Sequence, residues 1–207
     1  MLNVFARVHV NRVADPLARR LLALGITPDA VTVIGTVGSV AAAAWFLPRD
    51  QLFVGTIVIW FFVMFDLVDG AMARARGHST PFGAVLDSAC DRLADGALFA
   101  ALAWWCLGVG QDRLLGVAAL VCLVAGQLVS YVKARAEGLG LSADGGLVER
   151  AERLILALVG TGLQGLGVPH ALDVALWLLA AGSVWTVGQR MVSVYRSAQA
   201  PEPPPAP

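Results

Sequence analysis

Six apolar stretches separated by more polar segments make up most of the 207-residue chain. They run from Ala30 to Leu47, Leu52 to Phe65, Ala84 to Val109, Leu114 to Val132, Leu154 to about Val168, and Ala171 to Val194. A membrane helix needs about 20 apolar residues, because lipid offers no partner to a free backbone group. The stretches meet or approach that length. The chain is 57% hydrophobic and only 14% charged, against roughly 25% charged in ordinary soluble domains. That is too little charge to cover a soluble surface of this size. The expectation is an all-α integral membrane protein with six transmembrane helices. A water-soluble domain is excluded, and the formal net charge of zero gives no sign of a nucleic-acid partner.

Local signals mark the boundaries. Thr27-Pro28-Asp29 reads as an N-cap, a first helical position and a first-turn acid. Thr80-Pro81 repeats the signal, while Pro48, Gly110 and Pro169 mark other turns. An even number of spans puts both termini on one side. Most of the cations fall on that side, among them Arg7, Arg12, Arg19, Arg20, Arg74, Arg76, Lys133, Arg135, Arg150, Arg153, Arg190 and Arg196, and only Arg49 and Arg113 fall opposite. The positive-inside rule makes the terminus side cytoplasmic.

Residues 1–25 are too basic and too broken for a cleaved signal peptide. They read as an amphipathic juxtamembrane segment. Asp15-Pro16 opens a short helix in it that Gly25 closes, with Arg19 and Arg20 flanking Leu17, Leu21 and Leu22. Residues 26–197 form the membrane domain, and 198–207 a Pro-rich disordered tail. Cys90, Cys106 and Cys122 form no metal or redox pair and read as small hydrophobes; His9, His78 and His170 lack ligand spacing. Gly35, Gly38 and Ala41 to Ala44 permit close helix packing without showing whose.

The anomaly is acidic. Asp66 and Asp69 end the second stretch, and Asp87 and Asp91 open the third. Unpaired charges at such depth cost several kcal/mol. On helices these are i,i+3 and i,i+4 pairs, and the short polar turn between them lets the pairs face each other. Four converging carboxylates need cations, and hard oxygen ligands suit Mg²⁺ or Mn²⁺. Two such ions would neutralise four charges. Gly70 and Gly83 leave room beside the acids for a bulky ligand, and Arg74 offers a phosphate fork one turn beyond Gly70.

Residues 66–91 read DLVDGAMARARGHSTPFGAVLDSACD. The pattern D-x2-D-G-x2-A-R-x8-G-x3-D-x3-D resembles the signature of the CDP-alcohol phosphatidyltransferases, with every fixed position filled. The six-span layout and the TPDAVT start of the first span resemble that family too. The resemblance implies a CDP-linked lipid and two divalent ions bound at the cytoplasmic face. An acceptor hydroxyl then attacks the lipid-side phosphorus, and CMP leaves. It implies Asp66 and Asp87 as ligands of both metals, Asp69 of the first, and Asp91 of the second as well as general base. Asp29, Ala30, Val31, Thr32, Asp69, Gly70, Ala73, Arg74, Thr80 and Gly83 would line the CDP-lipid pocket. A homodimer is implied as well.

The segments SYVKARAEG (130–138) and DGGLVERAERL (144–154) resemble an actinobacterial branch of the family, which joins CDP-diacylglycerol to myo-inositol phosphate. That places the chain in a bacterial plasma membrane, among membrane lipids. Lys133, Arg153 and Arg190 would hold the acceptor phosphate, and a basic pocket suits such an anion. Glu149 and Glu152 are competing partners for these arginines. Glycerol 3-phosphate is a second anionic acceptor that the same cations would accept. A reading from another class is a cation transporter that uses the intramembrane acids as its path.

Overall fold

In the computed structural model, which describes residues 15–76 and 80–199, helices start where the cap signals place them. Residues 15–23 form α1. Gly25 ends it at φ 78°, donating to Leu22 O while Ile26 donates to Leu21 O. This pair of bonds is a Schellman closure, whose left-handed residue favours glycine. The Thr27 hydroxyl then accepts the Ala30 N–H at 3.2 Å, and Pro28 opens α2 (Pro28–Phe46). A 3₁₀ turn (Leu47–Arg49) leads into α3 (Leu52–Val63), followed by α4 (Phe65–Arg76), α5 (Pro81–Leu107), α6 (Arg113–Glu137), α7 (Arg150–Gly165) and α8 (Ala171–Gln199). Asp112 caps α6 by accepting the Leu115 N–H at 2.9 Å. No strand occurs among the described residues. Most of residues 1–25 and of the tail, residues 1–14 and 200–207, lie outside them.

Four helical stretches are long and apolar enough to cross a membrane: Pro28–Arg49, Leu52–Arg76, Arg113–Glu137 and Ala171–Gln199. The chain is a multi-pass membrane protein. α5 falls outside that set because Asp87, Asp91, Arg92 and Asp95 interrupt its apolar run, and α7 because it has only 16 residues. Large apolar side chains point outward along these helices, Trp104, Leu114, Trp177 and Trp185 among them. In lipid that exposure is not penalised.

The chain divides into two compact units, Met1–Ala101 and Leu102–Pro207. In the first, α2 packs on α3 and α4. A core of Ala18, Val31, Ala71 and Met72 receives Leu21, Leu22, Ile26, Phe65 and Val68. The second apolar stretch is broken at Met64, so that α4 starts afresh at Phe65. Three rings cluster at the break: Phe61, Phe62 and Phe65, with centroids 5.3–5.7 Å apart. α2 admits them only because it lacks side chains there. A Cβ on Gly38 would lie 2.2 Å from the Phe62 ring, and one on Gly35 2.8 Å from Phe65 Cβ. These two glycines therefore serve packing within the chain.

In the second unit, α8 packs on both α6 and α7. Small residues of α6 (Ala118, Ala119, Cys122, Ala125) and large ones of α8 (Leu172, Leu176, Leu179) are buried. Gly160 of α7 lets Ala175 approach to 2.4 Å of where a Cβ would stand. All three cysteines are free thiols, and Cys106 and Cys122 are fully buried.

Candidate active site

Within the first unit, Asp66 and Asp69 on α4 meet Asp87 on α5. One carboxylate oxygen from each lies within 4.8 Å of the other two. At an effective dielectric of about 20, two ionised carboxylates at such a separation repel by roughly 3 kcal/mol. A fold that gathers three of them fits a divalent cation, since hard oxygen donors on one side are what Mg²⁺ or Mn²⁺ takes. Asp69 is 6% exposed and accepts a hydrogen bond from the Thr32 hydroxyl at 2.5 Å, which links α2 to α4. This is the length of a hydroxyl–carboxylate bond. Asp91 lies one turn further along α5, outside the three-carboxylate group, with Arg92 Nη2 at 3.6 Å.

The carboxylates line a cleft of about 360 Å³. Its other walls come from the start of α2 (Pro28, Asp29, Thr32), from α4 (Gly70, Ala73, Arg76) and from the start of α5 (Thr80, Gly83, Ala84). Two long helices therefore begin at its rim, and both begin with Thr-Pro. The Thr80 hydroxyl accepts the Gly83 N–H at 2.9 Å, as Thr27 does for Ala30. Helix N-termini carry partial positive charge and unsatisfied N–H groups, so they favour an anion in front of them. Gly83 has no room for a side chain: its Cβ would lie 2.9 Å from Thr80 Oγ1 and 3.2 Å from Asp29 Oδ1. At Gly70 the opposite holds. A Cβ there would meet only Arg74 Nη1, at 3.5 Å, so the cleft is open at that point.

In the second unit, α6 gathers three cations on one face. Arg153 of α7 is 1% exposed and packs over Gly126, where a Cβ would stand 3.1 Å from its Nε. Arg190 of α8 is 5% exposed and donates through Nη1 to Val129 O at 2.5 Å. Its Nε donates to Gly145 O at 3.2 Å, and its Nη2 lies 3.7 Å from Glu149. Lys133, exposed, follows one turn beyond Val129. Positions 126, 129 and 133 share a helix face, spanning about 10 Å at 1.5 Å per residue.

Comparison with known proteins shows the family of the chain. Residues 25–188 match the CDP-alcohol phosphatidyltransferase family. The chain belongs to that family. It is 56% identical over 195 residues to the phosphatidylinositol phosphate synthase of Mycobacterium marinum, covering 93% of this chain and 83% of that one. Two crystal structures of the Mycobacterium tuberculosis phosphatidylinositol phosphate synthase, each 51% identical, share its fold. The form with CDP-DAG bound has a TM-score of 0.88, covering 93% of this chain and 98% of that one. The form in complex with manganese and citrate has a TM-score of 0.87, covering 92% of each. The protein is thus a phosphatidyltransferase, an enzyme rather than a transporter.

Several positions in this phosphatidyltransferase differ from the sequence-based expectation. Val31 does not line the cleft; it is 4% exposed and belongs to the core around Met72. Ala30 is half-buried and serves the cap through its N–H. Arg74 sits beside the cleft residue Gly70, with Nη1 3.5 Å from where a Cβ would stand there, and Arg76, two residues on, lines the cleft. The motif names only the first of the two arginines, so the second is missed. Gly126 is missed too. The available signal was a glycine seven residues, or two helical turns, before Lys133 in a largely apolar helix.

Proposed function

We propose that the enzyme transfers the phosphatidyl group of CDP-diacylglycerol to a hydroxyl of myo-inositol phosphate, giving phosphatidylinositol phosphate and CMP. The observation that carries this reading is the cleft, in which three carboxylates face the starts of two helices. A diphosphate needs both: cations held by the acids and N–H donors from the helix ends. The relatives named as phosphatidylinositol phosphate synthases support the choice of acceptor.

The acceptor hydroxyl oxygen attacks the phosphorus that bears the diacylglycerol. The bond from that phosphorus to the bridging oxygen breaks, and CMP departs with its electron pair. Asp91 takes the hydroxyl proton as general base. Asp66, Asp69, Asp87 and Asp91 hold two Mg²⁺ ions, with Mn²⁺ as substitute. When bound, such ions neutralise charge on the phosphate oxygens during phosphoryl transfer. Thr32 fixes the orientation of Asp69. Asp29, Thr32, Gly70, Ala73, Thr80 and Gly83 shape the CDP pocket, and Arg74 and Arg76 add positive charge at its edge. Lys133, Arg153 and Arg190 bind the acceptor phosphate. Arg153 and Arg190 are already buried and oriented, so little entropy is lost when the phosphate arrives.

The same reading gives a homodimer with six spans, and the Lys/Arg bias of the sequence supports a cytoplasmic active site and cytoplasmic termini. The test is CMP release by purified enzyme given CDP-diacylglycerol and, in turn, inositol phosphate, inositol and glycerol 3-phosphate. Turnover is expected with inositol phosphate and little with the other two. Preference for glycerol 3-phosphate would overturn the acceptor assignment.

A further inference from the structure

Arg190 is held in place by a segment with no regular structure of its own. Residues 141–149 join α6 to α7 without helix or strand. The segment lies along α8 and is fastened there side chain by side chain. The Leu147 N–H donates to Gln189 Oε1, and the Val148 N–H to Thr186 Oγ1, each at 3.0 Å. Further along, the Ser142 N–H donates to Ser197 Oγ at 3.0 Å. Thr186 cannot exchange roles, because its own proton goes to Gly182 O at 2.8 Å. It is fully buried, so its acceptor oxygen is committed to the loop.

Shape reinforces these bonds. Gly145 and Gly146 adopt φ values of 93° and 152°, which side chains disfavour. A Cβ on Gly146 would stand 2.8 Å from Thr186 Cγ2. On the helix side, Gly182 receives Val148, whose Cγ2 lies 2.6 Å from where a Cβ would be. Two smooth surfaces are thus pressed together, and the Gly145 carbonyl is delivered to Arg190 Nε. Glu149, at the end of the same segment, is delivered to Nη2. The loop thus supplies two contacts to this guanidinium, beside the one to Val129 O.

We infer that Thr186 and Gln189 are positioning residues for the acceptor, acting through the 141–149 segment on Arg190. The inference rests on the acceptor reading above. Neither residue touches the substrate in this account. They set the angle at which Arg190 presents its guanidinium plane. A guanidinium binds phosphate through paired donors in a fixed plane, so a change of angle weakens binding even though the charge is kept.

The experiment is steady-state kinetics on Thr186→Val and Gln189→Leu, with inositol phosphate and CDP-diacylglycerol varied separately. Hydrogen exchange at the Leu147 and Val148 amides is followed in parallel. Thr186→Val keeps the packing against Gly146 and removes the hydroxyl, both as acceptor of the Val148 N–H and as donor to Gly182 O. The KM for inositol phosphate is expected to rise roughly 3- to 10-fold in each, the scale of one lost hydrogen bond. The KM for CDP-diacylglycerol should stay within about twofold, and the two amides should exchange faster. Thr186→Ser and Gln189→Glu keep the acceptor oxygen and should restore the wild-type KM. Faster exchange with an unchanged acceptor KM overturns the inference, as does an equal rise in both KM values. Wild-type enzyme that turns over glycerol 3-phosphate but not inositol phosphate overturns the acceptor reading instead. The variant-to-wild-type KM ratio on that acceptor then decides the positioning role.

Discussion

Replacing Gly126 by alanine sets helix propensity against the position of one guanidinium. Gly126 lies inside α6, where alanine is favoured over glycine by about 0.8–1.0 kcal/mol. The new Cβ would stand 3.1 Å from Arg153 Nε and 3.3 Å from its Cζ. Carbon contacts prefer about 3.5–4.0 Å, so something must give by a few tenths of an ångström. The backbone of a packed helix resists more than the end of an arginine, and the guanidinium moves. At 1% exposure it cannot escape to solvent. Overpacking a rigid site costs about 1–3 kcal/mol, and here the cost falls at the lower end and is offset by propensity. Stability is therefore expected to change little. Substrate binding has no such offset. A charge-assisted hydrogen bond contributes about 1.5–3 kcal/mol, and losing half of it raises KM roughly 4- to 12-fold. The assay varies inositol phosphate at saturating CDP-diacylglycerol, with thermal unfolding measured in the same detergent. An unchanged acceptor KM at an unchanged Tm would refute the placing of Arg153 in the acceptor site.

Three further outcomes are expected. Asp91→Asn should keep the fold and CDP-lipid binding yet lose turnover by about 10²-fold or more, the scale of general-base catalysis; near-normal turnover in single-turnover assays rules out the base assignment. Thr32→Val removes the donor that orients Asp69. It should weaken Mn²⁺ binding, read by calorimetry as well as by activity, by about 10- to 100-fold. Thr32→Ser should bind Mn²⁺ as wild type does, and equal affinity in the valine variant contradicts the role given to Thr32. Chelation should abolish turnover, and Mg²⁺ or Mn²⁺ should restore it; full activity in excess chelator is the contrary result.

The helices and their starts were legible in the sequence because local chemistry determines them. Thr27-Pro28 and Thr80-Pro81 act through bonds to residues three positions on, and no tertiary information is needed. The Asp66–Asp69 pair was legible because i,i+3 spacing fixes a shared helix face, whereas the same reasoning on Asp87 and Asp91 brought only Asp87 into the group. Other features depend on what lies opposite. Val31 sits one position from Thr32, yet only the arrival of Met72 and Ala18 makes it core rather than pocket. Gly35 and Gly38 gave no hint of their partners until Phe62 and Phe65 filled the space. Arg190 reads as a cation in any sequence window, but its bonds reach carbonyls 45 and 61 residues away. Such contacts have no local signature.

The break at Met64 has a consequence for how the enzyme lives in bilayers of different thickness. α3 is apolar on every side and carries no charge that would fix its depth in the bilayer. α4 carries Asp66 and Asp69 and is tied to α2 through Thr32 and the Met72 core. Were the two one continuous rod, every adjustment of tilt would swing the carboxylates. Because the rod is interrupted between them, a change of tilt in α3 need not pass whole to α4. A joint thus stands between the carboxylate ledge and the apolar helix that meets the lipid.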